Sequence, residues 1–239
     1  MTSWLRTSPH LARPGWAHGW TTSGGPDFRC APDSPRHAPA VDELVAAVGL
    51  DTAAWVRQVH GGTVLKADGP GCVGEADGVW TDRPGLGVVG RSADCPLVLV
   101  AGGGTRPAWG FAHASWRSTV AGITAGLVAE LAAGGAEPGA CRAVICPSAG
   151  PCCYEVGDEV RELALANLGA KAAAFFAPRR ERWILDLWRA NVAQLVAAGM
   201  SEEDIDITGI CTICGTDYPS HRRDGAAAGR FAAILGRQR

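Results

Sequence analysis

Between Trp55 and His113 the chain is cut into short, β-branched runs separated by Gly, Pro and Asp. Runs of that length bounded by turn residues read as strands, here at 55–59, 63–66, 78–81, 86–90, 97–100 and 108–112. Residues 119–133 then carry Val120, Ile123, Leu127, Val128 and Leu131 at helical spacing, with Ser118 as the expected cap. A shorter helical pattern, Val41, Leu44, Val45 and Val48, is closed by Gly49. Residues 142–147 and 205–211 read as strands, and 156–168 and 187–198 as helices. Strands and helices mix without regular βαβ alternation, internal repeat or linker. The expectation is therefore one α/β domain of the α+β kind. Residues 1–40, rich in Pro, Gly, Ser and His, read as its loop-rich N-terminal segment with short edge strands around 19–22, and 41–239 as its body.

Composition removes several classes of function. Apolar runs such as 97–101 fall far short of the ~20 residues a bilayer span needs. Residues 1–15 carry Pro and charge in place of an apolar signal core. A cytoplasmic protein with no membrane partner is expected. The net charge is -2, and the 22 basic residues, all Arg except Lys66 and Lys171, are scattered along the chain. No nucleic-acid partner is expected from such a distribution. Nine cysteines cannot all pair within one chain, and without an export signal reduced thiols are expected.

Three segments place a possible metal ligand at a strand end, where α/β folds build sites. They are Gln58-Val59-His60-Gly61-Gly62, Ser92-Ala93-Asp94-Cys95-Pro96, and His113-Ala114-Ser115-Trp116-Arg117-Ser118. Two His and one Cys can form the protein shell of a catalytic Zn²⁺ with a fourth position open. Satisfied core or loop residues are the competing reading. Flanking glycines and small residues would let a ligand approach closely. Cys211-Thr212-Ile213-Cys214 is the single CxxC, readable as half a zinc site, a redox pair or structural cysteines, the last being expected. Adjacent Cys152 and Cys153 read as packing residues, unsuited to ligating one ion together. His221, Arg222 and Arg223 form a donor-dense stretch, either a solvated turn or an anion site to which Arg117 could add.

Taken together, these motifs resemble the YfiH-like laccase-domain family, once called multicopper polyphenol oxidases. The resemblance rests on QVHG at 58–61, EADG at 75–78, SADC at 92–95, HASWRS at 113–118, GPCCYEVG at 150–157, CTIC at 211–214 and SHRRDG at 220–225. It covers roughly 55–235, with the motifs in the family's order and spacing. It implies mixed β-sheets packed between helices, similar to the catalytic domain of cytotoxic necrotizing factor toxins. It also implies zinc held by His60, Cys95 and His113. The implied activities are phosphorolysis of adenosine, inosine, guanosine and methylthioadenosine to base plus ribose 1-phosphate, and deamination of adenosine. A bacterial branch is described as a peptidoglycan editing factor.

Purine nucleoside and phosphate are then the expected small-molecule partners, for a monomer or homodimer. Arg117 with Arg222 or Arg223 is assigned to phosphate, and Gln58 and Asp94 to orienting ligands and substrate. The chain departs from the family where HAGWRG becomes HASWRS, adding Ser115 and Ser118 beside a ligand. It departs again where TRxGG becomes Thr21-Thr22-Ser23-Gly24-Gly25, losing an Arg that could hold an anion.

Ligand supply tests the old oxidase label. Multicopper oxidation needs several copper ions and on the order of ten His, whereas this chain has His 6 and no His-x-His pair. A mononuclear copper site would want an axial Met, and only Met1 and Met200 exist, so copper is the lesser alternative to zinc. Two further readings are a cysteine hydrolase or amidase pairing Cys95 with His60 or His113, acting on a peptidoglycan precursor, and a binding protein that kept the metal without turnover.

Overall fold

The computed structural model describes residues 2–32 and 34–239, and in it the short apolar runs become two six-stranded mixed sheets. The chain opens with β1 (Leu5–Arg6), β2 (Trp16–Thr21) and helix α1 (His37–Val48). There follow β3 (Thr52–Arg57), β4 (Val64–Lys66), β5 (Gly71–Glu75), β6 (Gly78–Thr81), β7 (Leu86–Ser92), β8 (Leu97–Gly103) and β9 (Trp109–His113). Next come α2 (Trp116–Val120), α3 (Ile123–Ala133), β10 (Glu137–Ile145), β11 (Glu155–Val156) and α4 (Asp158–Leu168). The chain closes with β12 (Phe176–Arg179), β13 (Arg182–Leu185), α5 (Leu187–Ala197), β14 (Ile205–Ile207), α6 (His221–Asp224) and β15 (Phe231–Arg237).

The first sheet runs β1-β2-β15-β7-β3-β5 and the second β14-β10-β8-β9-β6-β4. Period-two alternation decides which residues meet. Val88, Ala233 and Leu235 face Leu97, Leu99, Trp109 and Phe111 of the other sheet. Their strand neighbours Val89, Ala232 and Ile234 face Val41, Leu44 and Val45 of α1. The outer face of the second sheet is covered by Ile123, Leu127 and Leu131 of α3 and Leu195 of α5. The result is a helix–sheet–sheet–helix stack, as expected for mixed sheets between helices. Each fully buried Leu, Val or Phe in it contributes about 1.5–3 kcal/mol. A small third sheet, β11-β13-β12, packs with α4 through Val156, Val160 and Leu185.

Local chemistry explains where the structure departs from the sequence reading. The expected helix over 119–133 is two helices, because Gly122 adopts φ 79 and breaks the ladder between α2 and α3. Ser115, not Ser118, caps the first of them, its hydroxyl accepting from Ser118 N at 3.1 Å. The expected strand over 205–211 stops at Ile207, with Gly209 at φ 66, and Cys211 keeps only an isolated bridge to Ser148. Residues 19–21 belong to β2, which ends before Thr22 and is interior, flanked by β1 and β15. The helix closed by Gly49 forms as read, with that glycine left-handed at φ 74. No helix among the described residues is long and apolar enough to cross a membrane.

One core group makes stability pH-dependent. His37 is buried, its ring set edge-on between Phe28 (centroids 5.8 Å apart) and Trp55 (5.2 Å). Burial, reinforced by the nearby Arg91 charge, pushes its pKa down from 6.5 to about 4. A folded pKa below the unfolded one means that the stabilisation is present above pH 6.5 and is lost as pH falls toward 4. The urea midpoint is expected to fall over that window, and His37→Phe to flatten the fall. An unchanged slope in the variant would contradict this account.

Candidate metal centre

The two sheets meet at one rim, and the loops there bring three candidate ligand residues together. His60 lies just past β3, Cys95 lies in the β7–β8 connection, and His113 is the last residue of β9. Their ligand atoms all lie within 4.8 Å of one another. The two imidazole rings are 5.0 Å apart between centroids, at 73°.

Asp77 organises this trio, and the site reasoning from sequence did not single it out. The residue is fully buried at the foot of β6. His113 Nδ1 donates to Asp77 Oδ1 at 2.8 Å, and His113 N donates to Asp77 O at 2.7 Å. Asp77 Oδ2 accepts from Val59 N at 3.2 Å and Gly61 N at 2.5 Å, the amides on either side of His60. One carboxylate therefore fixes the tautomer of one imidazole and the turn that carries the other. Burial would raise the Asp77 pKa, but the bond and charge of His113 and the amides of Gly61 and His60 outweigh it and hold it below the usual value. Its mark in the sequence is the EADG stretch at 75–78, an acid beside a glycine at a strand start, while its place level with the end of β9 comes from the pairing of the folded sheet.

Electrostatics at the trio favour a thiolate. Burial opposes ionisation of Cys95, yet the charge and hydrogen bonds of His113 and His60 bring its pKa down to about 6. Burial likewise opposes a charged His113, but Cys95 and Asp77 together raise it to about 9. With His113 Nδ1 committed to Asp77, its other ring nitrogen faces Cys95. A soft thiolate between two imidazoles is a donor set that fits Zn²⁺.

Two non-glycine residues here have positive φ, His60 at 63° and Asp94 at 92°. Such conformations cost about 1–3 kcal/mol each and persist where surroundings over-determine them. Asp94 is buried, and its Oδ1 accepts from Thr212 Oγ1 at 2.6 Å while its Oδ2 accepts from Arg222 N at 2.6 Å. Its carbonyl accepts from Ala149 N at 2.7 Å. The structure thus gives Asp94 to the loop that presents Cys95, with both carboxylate oxygens occupied. Gln58 is similarly engaged: its amide donates to Arg91 O at 2.9 Å and accepts from Arg91 N at 3.1 Å, joining the ends of β3 and β7.

A cavity of about 370 Å³ opens over the trio, and Arg29, Arg91, His221 and Arg230 line it. Arg117, Arg222 and Arg223 do not. Arg117 lies exposed on α2, stacked 4.3 Å over the Trp116 ring. Arg222 lies over the Tyr154 ring and donates to Glu155 O at 2.8 Å, facing a smaller neighbouring cavity. Arg223 is spent on the carbonyls of Thr212, Gly215 and Tyr218 and on Asp224. Ser115 and Ser118 do not narrow the cavity; their hydroxyls meet at 2.7 Å, both buried under the start of α2. Gly62 serves packing, since a Cβ there would stand 2.9 Å from Ala121 Cβ.

The family described as multi-copper polyphenol oxidoreductase laccase matches residues 31–238. The chain belongs to that family. Its relatives include a Xylella fastidiosa protein named purine nucleoside phosphorylase, 36% identical over 80% of this chain and 75% of its own. A Deinococcus radiodurans protein of the same name is 35% identical over 97% of this chain and 92% of its own. Among solved structures, the Bacillus licheniformis hypothetical protein YfiH superposes with a TM-score of 0.83 at 26% identity, covering 98% of this chain and 99% of that one. In this laccase-like family the oxidase description sits poorly with the chain, whose trio offers two imidazoles and one thiol.

Proposed function

We propose that the chain is a zinc-dependent purine nucleoside phosphorylase that also deaminates adenosine. The observation that carries the metal reading is the second imidazole. Cys95, His113 and Asp77 stand in the order of a thiol–imidazole–carboxylate triad, and this favours the hydrolase as the second reading. His60 has no task in a triad, yet Asp77 fixes the turn that directs it to the same point. Three protein ligands with an open position is the pattern of a catalytic zinc site. Zinc held by His60, Cys95 and His113 supplies Lewis-acid polarisation and a water acidified toward neutral pH.

The relatives' name supports the substrate class, and the cavity supports its size and charge. Its volume of about 370 Å³ lies in the range of small-molecule sites. Phosphate falls to Arg29 and Arg230 on the rim, because both line the cavity over the trio and Arg223 does not. Both rim arginines also line an adjoining cavity of about 490 Å³ that includes Thr22, at the point where the family's Arg is absent. The glycosyl donors are adenosine, inosine, guanosine or methylthioadenosine and phosphate is the acceptor, giving base plus ribose 1-phosphate, or the 5-methylthio sugar phosphate from methylthioadenosine. Asp77 holds His113 while the rim cations orient the phosphate toward the glycosidic carbon.

The test is chromatography of products from adenosine with and without phosphate. Adenine appearing only with phosphate supports phosphorolysis, and inosine independent of phosphate supports deamination. Zinc-loaded protein that yields neither would overturn the reading. Arg230→Ala is expected to raise the phosphate KM about tenfold with kcat little changed, the loss of one charge-assisted hydrogen bond. An unaltered phosphate KM would remove Arg230 from this role.

A further inference from the structure

Four thiols that the reaction does not use converge on one surface. Cys152 and Cys153 lie in the turn after Gly150, and Cys211 and Cys214 in the loop after β14. Their sulfurs all lie within 4.8 Å of one another. Cys153 Sγ is 3.1 Å and Cys152 Sγ 3.4 Å from Cys214 Sγ. The adjacent pair, read from sequence as packing residues, thus turns both side chains onto a single partner, which corrects that reading.

Packing does not explain the cluster. Cys141 and Cys146 are buried as core residues, whereas Cys152 and Cys214 are exposed. The cradle is instead built by the backbone. Ser148 N donates to Ile210 O at 3.1 Å and Thr212 N donates to Ser148 O at 3.0 Å, which aligns the two segments. Gly150 N donates to Cys211 Sγ at 3.3 Å, and the amides of Ile213 and Cys214 also point to that sulfur. Amides aimed at one sulfur stabilise a thiolate, the form that binds metal. Sulfurs around a tetrahedral Zn²⁺, each about 2.3 Å from it, stand roughly 3.8 Å apart, close to the spacing found here.

We propose that Cys152, Cys153, Cys211 and Cys214 form a tetrathiolate zinc site distinct from the His60, Cys95 and His113 trio. All four coordination positions come from the protein, so this ion is structural and leaves no position for substrate. Binding passes the thiol protons to solvent and involves no electron transfer. Arg179, donating to Cys152 O at 3.0 Å, and Arg223 on the Thr212 carbonyl offset the anionic cluster. The site fastens the 148–154 and 211–214 segments, whose Ala149 and Thr212 hold Asp94 beside Cys95. It therefore braces the strained loop that presents the thiolate of the other centre.

The experiment counts metal by native and inductively coupled plasma mass spectrometry on full-length protein purified with reductant and zinc. Two zinc ions per chain are expected, falling to one in Cys214→Ser and to one in Cys95→Ala. The Cys95→Ala protein loaded with Co²⁺ should show the thiolate-to-cobalt absorption of a four-thiolate tetrahedral site, absent once Cys214→Ser is added. Should Cys214→Ser fail to fold, Cys152→Ser and the wild-type count carry the same test. A single zinc that Cys95→Ala removes, with the four thiols reacting freely or joined as a Cys153–Cys214 disulfide under reductant, overturns the proposal. A single zinc in the wild type that Cys95→Ala retains and Cys214→Ser removes would instead sink the trio as a metal centre and leave this site standing.

Discussion

Cys95→Ala is expected to abolish zinc retention at the trio and to lower adenosine phosphorolysis by more than about 100-fold, beyond the loss that even an outer partner of a metal ligand causes. Cys95 is the one soft donor of the set, and its pKa of about 6 keeps it ionised at neutral pH. Alanine leaves two imidazoles, one on an exposed turn and one buried, with no anionic ligand to complete the shell. Metal content and steady-state turnover are measured on the same preparation. Activity surviving the loss of the trio's zinc would refute the zinc reading. A zinc content undiminished from the wild type, with activity lost, would instead transfer Cys95 to the nucleophile of a triad.

Asp77→Asn is expected to weaken zinc binding at the trio about 10–100-fold and to lower kcat with it. The carboxylate is fully buried and accepts from His113 Nδ1 and from two amides at once. An amide side chain has a single oxygen, so one of these faces must meet an NH₂ group, donor against donor. If that face is His113, the imidazole turns or changes tautomer; if it is the 59–61 turn, His60 loses its aim. Competition with a chelator gives the affinity, and folding is checked separately by thermal melt. A well-folded Asp77→Asn protein with unchanged zinc affinity would show that Asp77 positions neither imidazole.

How much of this was readable in the sequence depended on burial. The 97–100 run, the 41–49 helix and the 187–198 helix stood out because each is apolar on a clear period or in a bounded run. Strand β15 did not, although it lies at the centre of its sheet. It is buried on both faces, so it lacks alternation, and its Ala232 and Ala233 carry little strand propensity. Strands β5, β12 and β13 were missed for the opposite reason, being short, with no buried residue in β5 or β12 and only Ile184 and Leu185 buried in β13. In the site, His60, Cys95 and His113 were legible as unusual residues at strand ends. Asp77 lay outside that reasoning because its importance comes from register, and Arg29 and Arg230 because they approach the cavity from distant segments. Arg222 and Arg223 drew attention through charge density, which does not reveal that carbonyls and carboxylates already occupy them.

The division of the trio between the sheets has a consequence for how the centre comes into being. His60 hangs from a strand of the first sheet, His113 ends a strand of the second, and Cys95 rides the connection between them. Asp77, from the second sheet, reaches the turn beyond β3 of the first. Neither half alone therefore owns a binding site, and ligand capacity arises only when the two docked layers reach their final alignment. Metal affinity in this architecture reads out assembly of the whole sandwich, while strand content reads out only its parts.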